Sequence, residues 1–284
     1  KNKLFKYIVP FDYSNKGILE PNKEFSGFIH QLIGIKEKLN NNENQNMIIK
    51  EASLNYLYVS HPIFVSYYNG VCGLTGTIGN KYNKTIYQKH YKLITKKIPR
   101  NLPNYLVEFP IILCDTIEER NNKIAFEAIT LSKRKNPVIV IFQDLSEISS
   151  IFNILISQGI QNIFIFDGIN NQIKPDEIAG VEGTVSLGTN VCGRGTNIKV
   201  YDSPLHVIVA YYSSNSRVMH QAFGRTARQG NPGSVRIIWL KEQFISPIKT
   251  LNDKSINNYL NYFQNQNDIQ TEFIEKYRVK RSWF

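Results

Sequence analysis

The sequence contains no GxxxxGKS or GxxxxGKT loop and no DExD-type acidic strand end. Without that loop no run of backbone N–H groups cradles a β-phosphate, and without the acidic pair nothing fixes Mg2+ beside it. This chain alone is therefore not expected to hydrolyse a nucleotide. Cysteine is scarce. Cys72, Cys114 and Cys192 stand far apart with no CxxC spacing. That pattern argues against a disulfide framework and a zinc site, and fits a reducing compartment. No apolar run reaches the roughly 18 residues of a membrane span. No signal peptide is read at the start. Charged residues are only 20% against 42% hydrophobic, a balance that builds a core rather than a disordered chain. The 284 residues suit one large or two modest domains. Lys1 in place of Met and the abrupt end at Trp283–Phe284 lead to the expectation of a piece of something longer.

What charge there is leans one way. Lys and Arg total 34 against 23 acidic residues, a formal net charge of +11. Phosphates, nucleic acid and anionic lipid are the partners this favours, and an ordinary solvated basic surface fits equally. The basic residues that carry most information lie in two glycine–arginine segments. One is Thr189-Asn190-Val191-Cys192-Gly193-Arg194-Gly195-Thr196-Asn197; the other is Gly224-Arg225-Thr226-Ala227-Arg228-Gln229-Gly230. Arginine offers a planar fork for bidentate bonds to phosphate and keeps its charge. Gly193 and Gly195 let a backbone turn tightly against a ligand. Thr196 and Asn197 offer hydrogen bonds to phosphate or ribose oxygens. Either segment alone is weak, as readily a strand-end turn or a surface pair; the two in sequence form a strong signal.

Coarse periodicity separates four regions. Tyr7–Val9 reads as a short strand and Phe28–Lys38 as a helix, followed by a polar loop over Asn40–Asn46. The aromatics Tyr56, Tyr58, Phe64, Tyr67 and Tyr68 read as a partly buried helix, with a base-stacking platform as the alternative. Residues 81–110 read as short extended pieces broken by Pro99, Pro103 and Pro110. From about residue 108 the pattern turns α/β. Helices are expected near Ile117–Ser132, Ser146–Gln158 and Ser216–Phe223. Strands are expected at Val138–Phe142, Ile163–Phe166, Gly183–Leu187, Val207–Ala210 and Val235–Leu240. Continuous apolar runs between helices indicate a parallel sheet covered on both faces, with ligands at the carboxyl ends of its strands. The stretch from Lys254 to Phe284 lacks Gly and Pro and reads as helical.

The order TNVCGRGTNI, HVIV, HQAFGRTARQGNPGSVR resembles the second motor domain of the SecA preprotein translocase family, and more distantly superfamily 2 helicases. Gly73-Leu74-Thr75-Gly76-Thr77 looks like that family's GMTGT. Phe25–Gln31, Ile35–Glu37 and Asn44–Gln45 fall in register with its WSDGLHQ, EAKE and ENQ. Asn136–Val140 matches a strand reading QPVLV. The resemblance runs from about residue 7 to about residue 250. It implies a RecA-like, P-loop NTPase type of fold: a parallel sheet with flanking helices, preceded by a partial α/β domain and followed by helices. Residues 1–25 would be a remnant of the preprotein-binding insertion. Residues 26–107 would be the C-terminal part of the first motor domain, 108–250 the second motor domain, and 251–284 the start of a helical scaffold. ATP with Mg2+ would lie between the two motor domains, held mainly by residues outside this chain. Arg225 and Arg228 would serve the γ-phosphate, with Arg228 as the finger. Gly193, Arg194, Gly195, Thr196, Asn197, Gln221, Gly224 and Gln229 would line the nucleotide cleft, and Thr75, Gly76 and Thr77 would couple nucleotide state to domain movement. No metal ligand is assigned. Partners would be the N-terminal motor half, an unfolded preprotein and a Sec-type channel, with an anionic membrane surface in reach and nucleic acid less favoured. The implied location is cytoplasmic, with peripheral contact to a membrane.

The chain departs from the family pattern in places. Asn197 replaces an aspartate, which keeps an acceptor and loses a charge. Only a glycine survives of an acidic DEFTGR run, at Tyr13–Ile18. Phe223 replaces an arginine, and a long insertion near residue 200 is reduced to Tyr201-Asp202-Ser203-Pro204. Three readings stay open: part of a SecA-like translocase motor, a nucleic-acid helicase motor half, or a non-catalytic scaffold on a decayed motor fold.

Overall fold

Apolar runs too continuous for a half-exposed strand build the centre of the molecule. A computed structural model describes residues 7–12, 18–19, 24–25, 28–41, 44–51, 59–166, 175–189, 198–201, 203–213, 215–241 and 253–280. Its strands are β1 (Phe11–Asp12), β2 (Ile18–Leu19), β3 (Leu106–Glu108), β4 (Ile112–Cys114), β5 (Val138–Phe142), β6 (Ile163–Phe166), β7 (Val185–Thr189), β8 (Leu205–Val209) and β9 (Gly233–Leu240). Its helices are α1 (Ile29–Asn40), α2 (His61–Ser66), α3 (Lys81–Tyr91), α4 (Ile117–Lys133), α5 (Ile148–Ser157), α6 (Pro175–Ile178), α7 (Ser216–Phe223) and α8 (Asp253–Lys280).

Strands β3 to β9 form one sheet in the order β3–β9–β8–β5–β7–β6, with β4 also on β9, and every pair is parallel. β3 and β4 share one edge of β9 because Pro110 interrupts them; a proline has no N–H for a ladder. All residues of β5, β7 and β8 are buried. Alternation sorts them onto two faces. Val138, Val140 and Phe142 pack with Ile124, Ala128, Ile151 and Leu155 of α4 and α5. Ile139 and Ile141 pack with Met219 and Ala222 of α7 and Ile256 and Leu260 of α8. This is the doubly covered parallel sheet expected of a RecA-like domain.

The amino-terminal part differs from expectation in three places. Tyr7–Val9 is not a strand; pairing starts after Pro10, where β1 meets β2 antiparallel. Residues 81–91 form helix α3 rather than extended pieces. Asn80 and Asn83 cap it reciprocally, and Lys89 and His90 sit where the helix dipole favours cations. Only Ile86 of α3 is buried, so the apolar period that signals a helix is nearly absent. The aromatic stretch yields α2 over His61–Ser66, but Phe64, Tyr67 and Tyr68 are exposed rather than partly buried, and Tyr56 and Tyr58 lie outside the described residues.

At the carboxyl edge a buried ion pair ties α4 to its surroundings. Arg120 Nη2 stands 2.7 Å from Glu147, with the side chains 3% and 22% exposed, and Nη1 donates to the Ala210 carbonyl at 3.4 Å. Removing one member of such a pair strands the other charge away from water. Glu147→Ala should therefore lower unfolding free energy by about 3 kcal/mol, read by urea denaturation. Arg120→Met combined with Glu147→Leu should recover most of that loss. Equal loss in both variants would show that the pair matters for shape rather than charge.

Candidate functional site

Helix α7 positions the second glycine–arginine segment. Asn215 caps it by accepting from the Arg217 N–H at 3.0 Å, and Met219 and Ala222 turn inward. β8 ends at the carboxyl edge of the sheet and β9 starts at the amino edge, so α7 must carry the chain back between them. Arg225 and Arg228 consequently emerge at the amino edge, not in the carboxyl-end crevice expected from the fold class. Leu205 opens β8, Gly233 opens β9, and the two are register partners there. Thr226 Oγ1 donates to the Leu205 carbonyl at 2.6 Å.

Close approach at this edge requires a missing side chain. A Cβ on Gly233 would stand 1.9 Å from Thr226 Oγ1 and 2.7 Å from the Ala227 nitrogen. Ala227 and Gln229 then take left-handed backbone angles, φ 51° and 54°, which curl the segment tightly. Arg225 is buried at 5% exposure. It lies close enough to Tyr211 for its charge to act on that hydroxyl, which burial nevertheless pushes up to about 12. Arg228 is partly buried, and its Nε donates to the Gly224 carbonyl. Burial holds its pKa below the usual arginine value, though a guanidinium stays charged near neutrality.

The turn forms one wall of a pocket of about 320 Å³. Arg225–Gln229 and Asn231 line one side and Ile198–Tyr201 the other. Lys199, Arg225 and Arg228 put three cations on it, and none of the described lining residues is acidic. The second wall is fastened in place. A Cβ on Gly180 would lie 1.7 Å from the Lys199 carbonyl oxygen, so only glycine admits that backbone. Ser203 Oγ donates to Glu182 at 3.0 Å, and Asn136 Nδ2 to the Pro204 carbonyl at 3.0 Å. Sequence reasoning did not anticipate Lys199 or Tyr201 as pocket residues; their only signal was direct succession to the TNVCGRGTN segment. Gly193, Arg194, Gly195, Thr196 and Asn197 lie outside the described residues.

The coupling motif meets α7 directly. Thr77 N–H donates to Thr75 Oγ1 at 3.2 Å, and Gln221 Nε2 donates to Thr77 Oγ1 at 3.4 Å. Gly76 is exposed, as are Gly224 and Gln229. One turn earlier on α7, Arg217 Nη1 donates to the Tyr87 hydroxyl at 2.8 Å. The far side of α3 is tied to α8: Asn80 Nδ2 donates to Asp268 at 2.5 Å, Lys89 meets Glu272 at 2.9 Å, and the Tyr82 hydroxyl donates to Glu272. That bond pushes the Tyr82 hydroxyl up to about 12, and Tyr82 followed by Lys89 holds the Glu272 carboxyl below its usual range. Among the described residues no three His, Cys, Asp or Glu side chains converge as a metal site.

Fold and site together define a RecA-like domain with an arginine turn at its amino edge. Among known proteins, the chain is SecA-like over most of its length. It is 28% identical over 236 residues to the protein translocase subunit SecA of Elusimicrobium minutum, covering 78% of this chain and 26% of that protein. The SecA of Syntrophus aciditrophicus is 29% identical over 229 residues, again 78% and 26%. The SecA of Endomicrobium trichonymphae is 25% identical over 274 residues, 92% of this chain and 31% of that one. The chain thus spans about a quarter of the length of the first two relatives. No protein-family model matches it. Likeness to solved structures is slight. The helicase MrfA bound to DNA gives a TM-score of 0.41 at 17% identity, covering 65% of this chain and 26% of that one. T4 UvsW gives 0.37 at 19%, covering 58% and 39%. The fold assignment rests on the sheet itself. No helix among the described residues is long and apolar enough to cross a membrane.

Two outcomes test this geometry. Gly233→Ala forces the arginine turn off the sheet and should cost about 1–3 kcal/mol, read by chemical denaturation; a neutral substitution would mean the turn is not seated there. The Glu272 carboxyl, depressed in the fold, stabilises above its unfolded pKa of about 4.3, and that gain disappears as pH falls through the folded value. Glu272→Gln should accordingly lower the melting temperature near neutral pH and flatten the acid limb between about pH 5 and 3, the two proteins converging at the acid end. An unchanged limb would remove Glu272 as its source.

Proposed function

We propose that this chain is part of a SecA-like, ATP-driven protein translocase motor. Residues 26–107 complete the first motor domain and 108–250 form the second, with 1–25 and 251–284 as insertion remnant and helical scaffold. ATP binds between the two motor domains, its phosphate loop and magnesium ligands supplied by the N-terminal motor half. Arg225 and Arg228 face the γ-phosphate. Gly193–Asn197, Gln221, Gly224 and Gln229 line the cleft beside them. The observation that carries this reading is the Gln221–Thr77 hydrogen bond, at 3.4 Å. It joins the helix leading into the arginine turn to the segment that resembles the family's coupling motif. Cleft closure on ATP, which engages the arginines, and reopening after hydrolysis would move one domain against the other. The moved substrate is an unfolded polypeptide threading a Sec-type channel at the cytoplasmic face of a membrane.

The chemistry asked of the chain's own residues is electrostatic. A guanidinium within reach of the transferring phosphoryl group stabilises charge that develops in the transition state, worth about 10³–10⁵ in rate. Arg228→Ala, in the protein carrying both motor halves, should lower kcat by about 10³-fold or more while ATP affinity changes little, measured by steady-state phosphate release. Turnover that survives Arg228→Ala would end the finger assignment. Turnover stimulated by RNA rather than by an unfolded polypeptide, with a steep salt dependence of RNA binding, would move the assignment to a helicase motor.

A further inference from the structure

The pocket wall opposite the arginine turn carries two side chains that the fold does not use. Along Ile198–Tyr201, burial alternates as in an extended strand: Ile198 is 4% exposed and in the core, Val200 is partly buried, Lys199 is exposed, and Tyr201 is 64% exposed. Lys199 and Tyr201 therefore share the outward side. Among the described residues, the Tyr201 ring and hydroxyl have no hydrogen bond or ring contact, and Lys199 has no ion pair. Neither sits on a loose loop. Gly180 packs against the Lys199 carbonyl, and Ser203 and Pro204 are pinned by Glu182 and Asn136. An aromatic ring and an ammonium carried on a held backbone, lining a pocket with two guanidiniums and, among the described residues, no carboxylate, are matched to an anion that bears a planar ring.

We propose that Lys199 and Tyr201 are nucleotide contacts, Tyr201 stacking on the base and Lys199 meeting a phosphate oxygen. This rests on the reading that Arg225 and Arg228 serve phosphate, and it adds a base-recognition element carried by this chain itself. Tyr201 stands where the SecA-like resemblance loses its insertion, so the shortened connection brings a ring to the pocket. Because stacking uses the ring face, the contact tolerates different bases and discriminates nucleotide from bare polyphosphate.

The experiment measures binding of ATP and of inorganic tripolyphosphate to the full chain by calorimetry at low salt. Both side chains are exposed, so the variants are expected to keep the wild-type melting temperature. Tyr201→Ala should weaken ATP about ten-fold and leave tripolyphosphate within about two-fold. Tyr201→Phe should restore ATP binding, since the ring and not the hydroxyl makes the contact. Lys199→Ala should weaken both ligands. Tyr201→Ala affecting both ligands alike, or neither, overturns the stacking contact. A wild-type chain that binds neither at millimolar concentration overturns the proposal too, yet leaves standing an arginine finger that works only beside another domain's phosphate loop. Conversely, ATP binding lost in Tyr201→Ala alongside normal turnover in Arg228→Ala would keep the base contact and refute the finger.

Discussion

One buried hydrogen bond, Thr226 Oγ1 to the Leu205 carbonyl at 2.6 Å, decides where the arginines go. It fastens Thr226, next to Arg225 and two residues before Arg228, to the first residue of a fully buried strand. Thr226 can reach that carbonyl only because Gly233, Leu205's partner on the next strand, has no side chain. The bond is stronger for being dry, since an unpartnered hydroxyl at 3% exposure would cost its full desolvation. Flanked this way, the arginines cannot drift along the sheet edge; their reach is set by side-chain rotamers alone. The left-handed angles at Ala227 and Gln229 are the backbone's concession to that anchor.

From the same anchor a chain of contacts leads outward. α7 enters the turn, and its Gln221 and Arg217 hold Thr77 and Tyr87. α3 begins within a few residues of Thr77 and is clasped on its other side by Asp268 and Glu272 of α8. α8 in turn buries Ile256 and Leu260 against the sheet face that α7 covers. The contacts close a ring: sheet, α7, α3, α8, sheet. Two of its links, Gln221–Thr77 and Arg217–Tyr87, are polar and partly buried, whereas the α8–sheet link is apolar. Polar links of modest strength can break and reform while the apolar one holds, so movement of α3 relative to α7 is the cheapest rearrangement this ring permits.

Much of the sheet was legible in the sequence because burial on both faces leaves an uninterrupted apolar signature, as in Val138–Phe142 and Val207–Ala210. α7 was legible because its cap, Asn215, and its stop, Gly224, are both local. α3 was misread for a reason that is equally physical. A helix held by Asn, Tyr, Lys and Glu contacts to another helix needs no apolar stripe, and the partners Asp268 and Glu272 are remote in sequence. The edge on which the arginines lie was also beyond local pattern. It follows from the strand order, since a helix joining parallel neighbours must return the chain to the amino edge, and strand order is not written in any one segment. Lys199 and Tyr201 were invisible for the same reason: the pocket brings residues 198–201 and 225–231 together from two separate connections.

The pocket's electrostatics also bear on how three cations share one space. Arg228 lies where burial already pulls its pKa below the ordinary value, a sign that its charge is imperfectly solvated. Arg225 is deeper still, and Lys199 faces the same space. Among the described lining residues none is acidic, so an anion of several charges entering between the walls eases their mutual repulsion. Guanidinium and ammonium groups do not titrate near neutrality, so that relief depends on ionic strength rather than on pH. A polyphosphate fits this demand better than a carboxylate, because it can satisfy both guanidinium forks and the ammonium at once.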